Sequence, residues 1–227
     1  NSSILEHLVR GLAKSGVQRI NMVVGYRKNI VMSHFGDGSQ FGTKIDYVTQ
    51  SNLSGTLDAL SLGLQNLEKD FILVPGDNYV SSASFFPLVQ SDSPALLAGK
   101  AERWSKWGEI DFVGSKAKIT FDNPEAFGRL HFTGIMKINV EVAKKLINAG
   151  GKHIGEALQK IEDQVTFDVI NSEYWHNIVY PWDLIDGNRL ALQNLALFKS
   201  GRIERNVVLK GPISIGPGSV ICSGSYL

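Results

Sequence analysis

The residues best suited to chemistry stand in the loop Val74-Pro75-Gly76-Asp77-Asn78, directly after an apolar run. A carboxylate at the end of a buried strand can hold a hard cation such as Mg²⁺. A turn stabilised by an Asx hydrogen bond explains the same residues at least as well. Asp77 is therefore a candidate metal ligand, and the loop by itself leaves both interpretations open.

A second candidate is the stretch Gln50-Ser51-Asn52-Leu53-Ser54-Gly55-Thr56, which joins a predicted strand to a predicted helix. The planar amide of Gln50 offers a donor and an acceptor, which suits the edge of a nucleobase. Gly55 allows close backbone approach, and the start of a helix favours an anion. Simple capping of the helix by Ser54 is an equal alternative.

The segment from Tyr174 to Asp183 is dense in aromatic and polar groups. Asn177 could be a neutral metal ligand, whereas Asp183 suits the first turn of a helix. The five histidines show no spacing typical of a metal site, and no Ser-His-Asp or Cys-His order is evident. We therefore expect no catalytic triad and no histidine-bound metal.

Composition excludes several classes of protein. The 227 residues are 43% hydrophobic and carry a net charge of +1, so a nucleic-acid partner is not expected. No apolar run approaches the ~20 residues that span a bilayer, so we expect no membrane partner. The single cysteine, Cys222, is consistent with a reducing compartment, and we expect a cytoplasmic protein.

The first ninety residues alternate between strand and helix patterns, which predicts βαβ units and a parallel sheet covered by helices. In order, the predictions are a helix over 4–15, a strand over 19–24, a helix over 29–35, a strand over 44–49, a helix from Ser54 to about Leu67, and a strand over 71–74. Ligands in such sheets bind beyond the carboxyl ends of the strands. The loops after Val24, Thr49 and Val74 are therefore the expected ligand loops.

After Pro94 the pattern changes to strands without long helices between them. We predict strands over 95–101, 110–113, 117–121, 131–138, 165–170 and 174–178, helices over 140–149 and 154–161, and a helix from Pro181 to about Phe198. This part extends the sheet, so the fold class is α/β with a Rossmann-like mixed or parallel sheet.

The last segment has apolar residues at a constant spacing of six: Ile203, Leu209, Ile215, Ile221 and Leu227. This period, with Gly and Pro between, is typical of a parallel β-helix built from hexapeptides. A chance β-rich tail is the alternative. We predict that residues 1–200 form an α/β domain and that residues 201–227 begin a left-handed β-helix, with Leu209, Ile215 and Ile221 pointing inside. We also expect the repeat to continue beyond Leu227 and the chain to be a fragment.

Eight motifs in order carry a resemblance to the sugar-phosphate nucleotidyltransferases, and especially to bifunctional forms with a C-terminal β-helix. The motifs are Ile4-Leu5-Glu6-His7, Val24-Gly25-Tyr26, Phe35-Gly36-Asp37-Gly38-Ser39-Gln40-Phe41-Gly42, Gln50 with Gly55-Thr56, Gly76-Asp77-Asn78, Trp107-Gly108, Thr133-Gly134-Ile135, and the segment 175–183.

The resemblance implies a reaction in which a sugar 1-phosphate and a nucleoside triphosphate give an NDP-sugar and pyrophosphate. UTP or dTTP with glucose or N-acetylglucosamine 1-phosphate is the expected pairing. Asp77 and Asn177 would hold Mg²⁺, and Asp77 would be the catalytic residue. Gln50, Gly55, Thr56, Asp77 and Asn78 would bind the nucleotide, and Gly108, Asp122, Thr133 and Gly134 would line the sugar pocket. A homo-oligomer through the β-helix is expected.

The chain also departs from the pattern of this family. The opening strand and its Gly-rich phosphate loop are not in this sequence, so we expect little activity from these 227 residues alone. Asp122-Asn123-Pro124 stands in place of Glu-Lys-Pro, Phe132 in place of Asn, and Asn177 where many members have Asp. Two rival functions follow: a non-catalytic regulatory paralogue that binds a sugar nucleotide, and an acyltransferase carried by the β-helix.

Overall fold

In the computed structural model the chain divides into two compact units, Asn1–Asn177 and Ile178–Leu227. The structure describes residues 2–52, 54–65, 67, 69–92, 94–100, 108–113, 116–120, 129–151, 153–193, 199–211 and 213–227. The sequence prediction placed a boundary at residue 200. The second compact unit begins earlier and so includes a helix as well as the segment with the six-residue spacing.

The helices are α1 (Ile4–Lys14), α2 (Lys28–Phe35), α3 (Thr56–Gly63), α4 (Phe85–Gln90), α5 (Val140–Ala149), α6 (Ile154–Ile161) and α7 (Asp183–Gln193). The strands are β1 (Arg19–Val24), β2 (Lys44–Thr49), β3 (Phe71–Leu73), β4 (Asn78–Val80), β5 (Ala95–Lys100), β6 (Glu109–Val113), β7 (Lys116–Thr120), β8 (Leu130–Ile138), β9 (Asp168–Asn171), β10 (Trp175–Asn177), β11 (Arg202–Ile203) and β12 (Val220–Ile221). Within the described residues, no helix is both long and apolar enough to cross a membrane.

The central sheet has the strand order β7-β6-β8-β5-β9. Strand β6 pairs with β8 at His131, and β3 pairs with the last residues of β8, from Met136 to Ile138. The pairing of β5 with β9 is parallel, whereas β3, β5 and β6 all run antiparallel to β8. The parallel strands β1 and β2 form a separate two-stranded sheet among the described residues. The predicted parallel sheet through β3 is therefore wrong, because the partner of β3 comes from a distant part of the chain that local patterns do not specify.

Two local predictions about α3 are also wrong. The helix ends at Gly63 rather than near Leu67, which agrees with the low helix propensity of glycine. Its N-cap residue is Gly55, which has no side chain to bond the first turn, so Ser54 does not cap this helix. The backbone N–H of Ser54 donates instead to the Asn52 carbonyl, 2.8 Å away, within the preceding loop.

The core lies between the central sheet and helices α4, α5 and α6. Leu96 and Leu97 of β5 and Ile135 and Met136 of β8 are at most 1% exposed. Because both faces of β5 and β8 are covered, these strands are continuous apolar runs rather than alternating ones. The central sheet is thus a rigid platform for loops at its edges.

Helix α1 is anchored by Glu6, the acidic residue of its Ile4-Leu5-Glu6-His7 segment. Its carboxylate accepts a hydrogen bond from Arg10 Nε at 2.9 Å and lies 3.4 Å from Nε2 of His34 in α2. The bond from Arg10, followed by those from Ser2 and His34, holds the pKa of Glu6 below its usual value despite burial. Glu6 therefore joins α1 to α2.

In the second unit, three of the four described parallel pairs join residues that lie 18 positions apart, whereas Lys199 pairs with Ile215, 16 positions away. Arg202 pairs with Val220, Ile203 with Ile221, and Val208 with Tyr226. Ile215, in the middle of the apolar residues that are spaced by six, is 4% exposed. Ile203 and Leu227, the first and last of these residues, are 37% and 47% exposed.

Candidate functional site

A short antiparallel ribbon of β4 and β10 brings Asp77 and Asn177 together. Asn177 lies directly opposite Asn78 in this ribbon. Its side-chain Nδ2 donates to the main-chain oxygen of Asp77 at 3.3 Å and to Asn78 Oδ1 at 3.4 Å. These bonds fix the plane of the Asn177 amide. The Oδ1 atom of Asn177 then lies on the side of the amide that faces away from these two acceptors. Two residues that lie a hundred positions apart in sequence thus form one polar group.

Asn78 and Trp175 form the buried support of this group. Asn78 is completely buried, and its Oδ1 accepts a hydrogen bond from Trp175 Nε1 at 2.6 Å. Its Nδ2 donates to Asp77 Oδ1 at 3.4 Å and to the Pro75 carbonyl at 3.5 Å. Asn78 therefore orients the Asp77 carboxylate from the buried side of the ribbon. Sequence reasoning assigned Asn78 to the nucleotide and gave Trp175 no role of its own.

Aromatic rings lie on the other face of the ribbon, where Tyr79 is directly opposite His176. Tyr79 stacks on Tyr174 with ring centroids 5.7 Å apart and meets the edge of His7 at 5.3 Å. Burial, and then the neighbouring Tyr174, raises the pKa of Tyr79 to about 12, so this phenol stays neutral at any physiological pH. The rings provide an uncharged backing that holds the ribbon in place.

The loop that contains Gln50 is closed by its own hydrogen bonds. Gln50 Nε2 donates to the Gly55 carbonyl at 3.2 Å and to Asp58 Oδ2 at 2.8 Å. Asp58 is a site residue that the sequence prediction did not name. Gly55 has φ 106°, a conformation that side chains disfavour. The hydroxyl of Thr56 is shielded from solvent and has no hydrogen-bond partner within the described part of the chain.

Of the predicted sugar residues, Gly108 directly precedes β6, and Thr133 and Gly134 lie in the neighbouring strand β8. The Gly108 carbonyl accepts the backbone N–H of Phe132 at 3.0 Å. A bulge between Leu96 and Ala98 displaces β8, and Gly134 takes a positive φ of 81° there. The Thr133 hydroxyl donates to the Leu97 carbonyl at 2.8 Å, so it stabilises the bulge. Asp122, the fourth predicted sugar residue, lies outside the described residues.

The donor set near Asp77 fits Mg²⁺ better than a transition metal. Among the described residues, no three His, Cys, Asp or Glu side chains form a metal-binding group. Asp77 supplies a carboxylate and Asn177 an amide oxygen, and both are ligands that a hard cation accepts. Mg²⁺ commonly binds through one or two such groups and completes its shell with substrate phosphates and water. This site could therefore hold Mg²⁺ together with a phosphate-bearing substrate.

Comparison with known proteins gives relatives along most of the chain. Residues 1–102 match the model of the family described as nucleotidyl transferase. The bifunctional protein GlmU of Methanococcus maripaludis is 29% identical over 229 residues, which are 96% of this chain and 54% of that protein. Nucleotidyltransferase Agl11 of Haloferax volcanii, named for low-salt glycan biosynthesis, is 25% identical and covers 95% of this chain and 64% of its own length. The chain thus spans about half of the GlmU relative.

Two further comparisons concern thymidylyltransferases. The glucose-1-phosphate thymidylyltransferase of Streptomyces griseus is 25% identical over 260 residues, covering 100% of this chain and 72% of that protein. A crystal structure described as a glucose-1-phosphate thymidylyltransferase of Bacillus anthracis with sucrose superposes with a TM-score of 0.72 at 20% identity, over 86% of this chain and 85% of that one. At this identity the likeness establishes the fold alone, a mixed α/β fold around a central sheet.

Proposed function

Because this chain is related to the sugar-phosphate nucleotidyltransferases, we propose that it forms the part of an enzyme that joins a sugar 1-phosphate to a nucleoside triphosphate. The observation that carries this proposal is the bond from the Asn177 amide to the Asp77 backbone across β4 and β10. The bond joins two residues with side-chain oxygens, and Asp77 follows β3 of the central sheet, which supports a site for a phosphate-bearing substrate there.

The proposed reaction is a displacement at the α-phosphorus of the nucleotide. An oxygen of the sugar phosphate forms a bond to that phosphorus, and the bond from phosphorus to the oxygen that bridges to the β-phosphate breaks. Pyrophosphate leaves with the bonding electron pair, and the product is an NDP-sugar. The protein contributes positioning and charge neutralisation rather than a covalent intermediate.

In this proposal Asp77 and Asn177 would hold Mg²⁺, which would neutralise phosphate charge. The residues of this chain then have separate tasks. Asn78, itself fixed by Trp175, keeps the Asp77 carboxylate in one orientation. Gln50 would recognise the nucleobase. Its Nε2 donates to Asp58, so its Oε1 would accept a hydrogen bond from the base. Gly55 and Thr56 would meet the nucleotide at the start of α3.

UTP or dTTP with glucose or N-acetylglucosamine 1-phosphate is our proposed substrate pair. Support comes from the Streptomyces griseus relative, whose name is glucose-1-phosphate thymidylyltransferase. On the sugar side, Gly108 and Gly134 lack side chains, which allows a sugar ring to approach their backbone closely. Asp122 would complete the proposed pocket, whereas Thr133 is fully buried and would support the pocket through its bond to the Leu97 carbonyl.

The proposed activity predicts pyrophosphate release from one defined pair of substrates. The test is a panel of nucleoside triphosphates and sugar 1-phosphates, mixed with Mg²⁺ and the whole protein that carries this chain. We expect release only when both substrates are present, and chelation of Mg²⁺ should abolish it. Tight binding of an NDP-sugar with no release from any pair would contradict the proposal and favour a regulatory protein instead.

For the second unit we propose the start of a left-handed β-helix through which copies of the chain associate. Support comes from the three parallel pairs that follow Lys199, whose 18-residue offset equals three hexads, as one turn of a three-sided coil requires. Ile215→Asp would put a charge at a site that is 4% exposed, so we expect this segment to lose its structure and the oligomer to dissociate. Sedimentation velocity checks this, with the exposed Val208→Asp as the control. A wild-type monomer would refute the oligomer.

A further inference from the structure

The side chain of Gln50 uses both of its N–H groups within its own loop. Nε2 carries two hydrogens, and it donates to the Gly55 carbonyl at 3.2 Å and to Asp58 Oδ2 at 2.8 Å. A carbonyl and a carboxylate only accept hydrogen bonds, so the amide oxygen of Gln50 cannot take the place of Nε2 at these two partners. The two contacts therefore fix the orientation of the amide, and they leave Oε1, an acceptor, for a ligand.

The fold sets the positions of Gln50 and Asp58 independently of any ligand. The backbone N–H of Gln50 donates to the Val24 carbonyl at 2.8 Å, which ties the start of the loop to the end of β1. Asp58 lies in the first turn of α3, and this helix packs into the core through Leu57 and Leu60, which are 9% and 3% exposed. The amide is thus pre-organised in one orientation, which lowers the entropic cost of binding a ligand.

A group that can only accept hydrogen bonds distinguishes uracil from cytosine. Uracil and thymine carry an N–H donor at ring position 3 and a carbonyl acceptor at position 4, whereas cytosine carries an acceptor at position 3 and an amino donor at position 4. The ribose and phosphates hold the base in place, so Oε1 of Gln50 meets one of these positions. At either position only one of the two bases can donate, and the other leaves two acceptors facing each other.

We propose that Asp58 is the positioning residue for the choice of base, because it keeps Gln50 an acceptor, and that the protein therefore accepts uracil or thymine and rejects cytosine. This inference rests on the proposed function, in which Gln50 recognises the base of UTP or dTTP. The N–H at ring position 3 then donates to Oε1. Asp58 acts through Gln50, so its replacement changes the preference between bases rather than the reaction at the phosphates.

The test is calorimetric binding of UTP and of CTP to the whole protein that carries this chain, with Mg²⁺ and without a sugar phosphate. For the wild type we expect UTP to bind about 10- to 100-fold more tightly, as the loss of one hydrogen bond with an unsatisfied acceptor predicts. Asp58→Asn supplies an amide that can donate as well as accept, so Gln50 can turn over and the ratio should fall at least about 3-fold. Asp58→Glu keeps a group that only accepts, and it should retain more of the ratio.

Asp46→Asn is the matched control for the lost charge. Asp46 lies in β2, the strand that leads to Gln50, and its Oδ2 lies 2.6 Å from Arg19 Nε, so this variant should leave the ratio unchanged. Thermal melts show whether each variant is folded, and Asp58→Ala, which also removes the acceptor, replaces Asp58→Asn if that variant does not fold.

Three results would overturn the proposal: tighter binding of CTP than of UTP, binding of neither nucleotide, or a ratio that falls less than about 3-fold when Asp58 loses its carboxylate. Because no sugar phosphate is present, the ratio is measured independently of the transfer reaction. A ratio that responds as expected, in a protein that releases no pyrophosphate, would support this role of Asp58 and contradict only the proposed transfer.

Discussion

Replacing Asp77 with alanine should reduce kcat at least about 100-fold, or ~2.7 kcal/mol at 1.36 kcal/mol per decade. The reason is that Asp77 is the carboxylate of the proposed metal site, and a lost ligand acts mainly on the transition state, where charge on the phosphates is greatest. Initial rates at saturating substrates and Mg²⁺ measure this. A variant that keeps near-normal kcat would contradict the metal role of Asp77.

Gln50→Ala is the contrasting variant for this experiment. Its contacts to the base are expected to persist from the ground state to the transition state, so KM for the nucleotide should rise and the choice of base should weaken, while kcat changes little. The variant also removes the hydrogen bond that Gln50 Nε2 donates to Asp58 in the wild-type protein. Neither substitution should lower the melting temperature much, because Asp77 and Gln50 are only partly buried. If both variants changed kcat equally, the separation of roles would be wrong.

Trp175→Ala should destabilise the protein by about 3–5 kcal/mol, the usual cost of removing a large buried aromatic side chain. Trp175 is 7% exposed, packs against Gly99, and donates the hydrogen bond that fixes Asn78. Its loss leaves a cavity under the β4–β10 ribbon and an unsatisfied oxygen on a fully buried side chain. Urea unfolding monitored by circular dichroism measures the change in free energy.

Two variants separate packing from hydrogen bonding at this position. Trp175→Phe keeps most of the ring volume and removes the donor, so it should cost only about 1–3 kcal/mol, the penalty for leaving Asn78 Oδ1 without this bond. Trp182→Ala removes an indole that is 55% exposed and should change stability by less than about 0.5 kcal/mol. Equal losses for Trp175→Ala and Trp182→Ala would show that Trp175 is not the support of the ribbon.

Local sequence patterns predicted the helices and strands whose bounds depend on neighbouring residues. The strands β1 and β2 and the helices α5 and α6 have the predicted bounds, because each combines a clear apolar pattern with a defined end. The strand β4 was missed, since three residues directly after a turn contain too little periodicity to detect. The partner of β3 was wrong because strand pairing across long sequence separations depends on the whole fold.

The sequence named candidate site residues, whose roles stay predictions, but it did not predict how their side chains are arranged. Motif resemblance named Asp77 and Asn177, but only the fold shows that the Asn177 amide bonds the Asp77 backbone. The support by Trp175 and the engagement of Gln50 by Asp58 depend on side-chain packing, which sequence spacing does not encode. The same holds for Thr133, whose hydroxyl is used within the bulge of β8.

The measurement that tests the central claim most directly follows isotopic oxygen through the reaction. The sugar 1-phosphate carries ¹⁸O in the three non-bridging positions of its phosphate, and the products are analysed by mass spectrometry. Attack by this phosphate on the α-phosphorus predicts an NDP-sugar that retains all three labels and pyrophosphate that contains none. Label in the pyrophosphate, or pyrophosphate formed while the labelled sugar phosphate remains unchanged, would contradict the account.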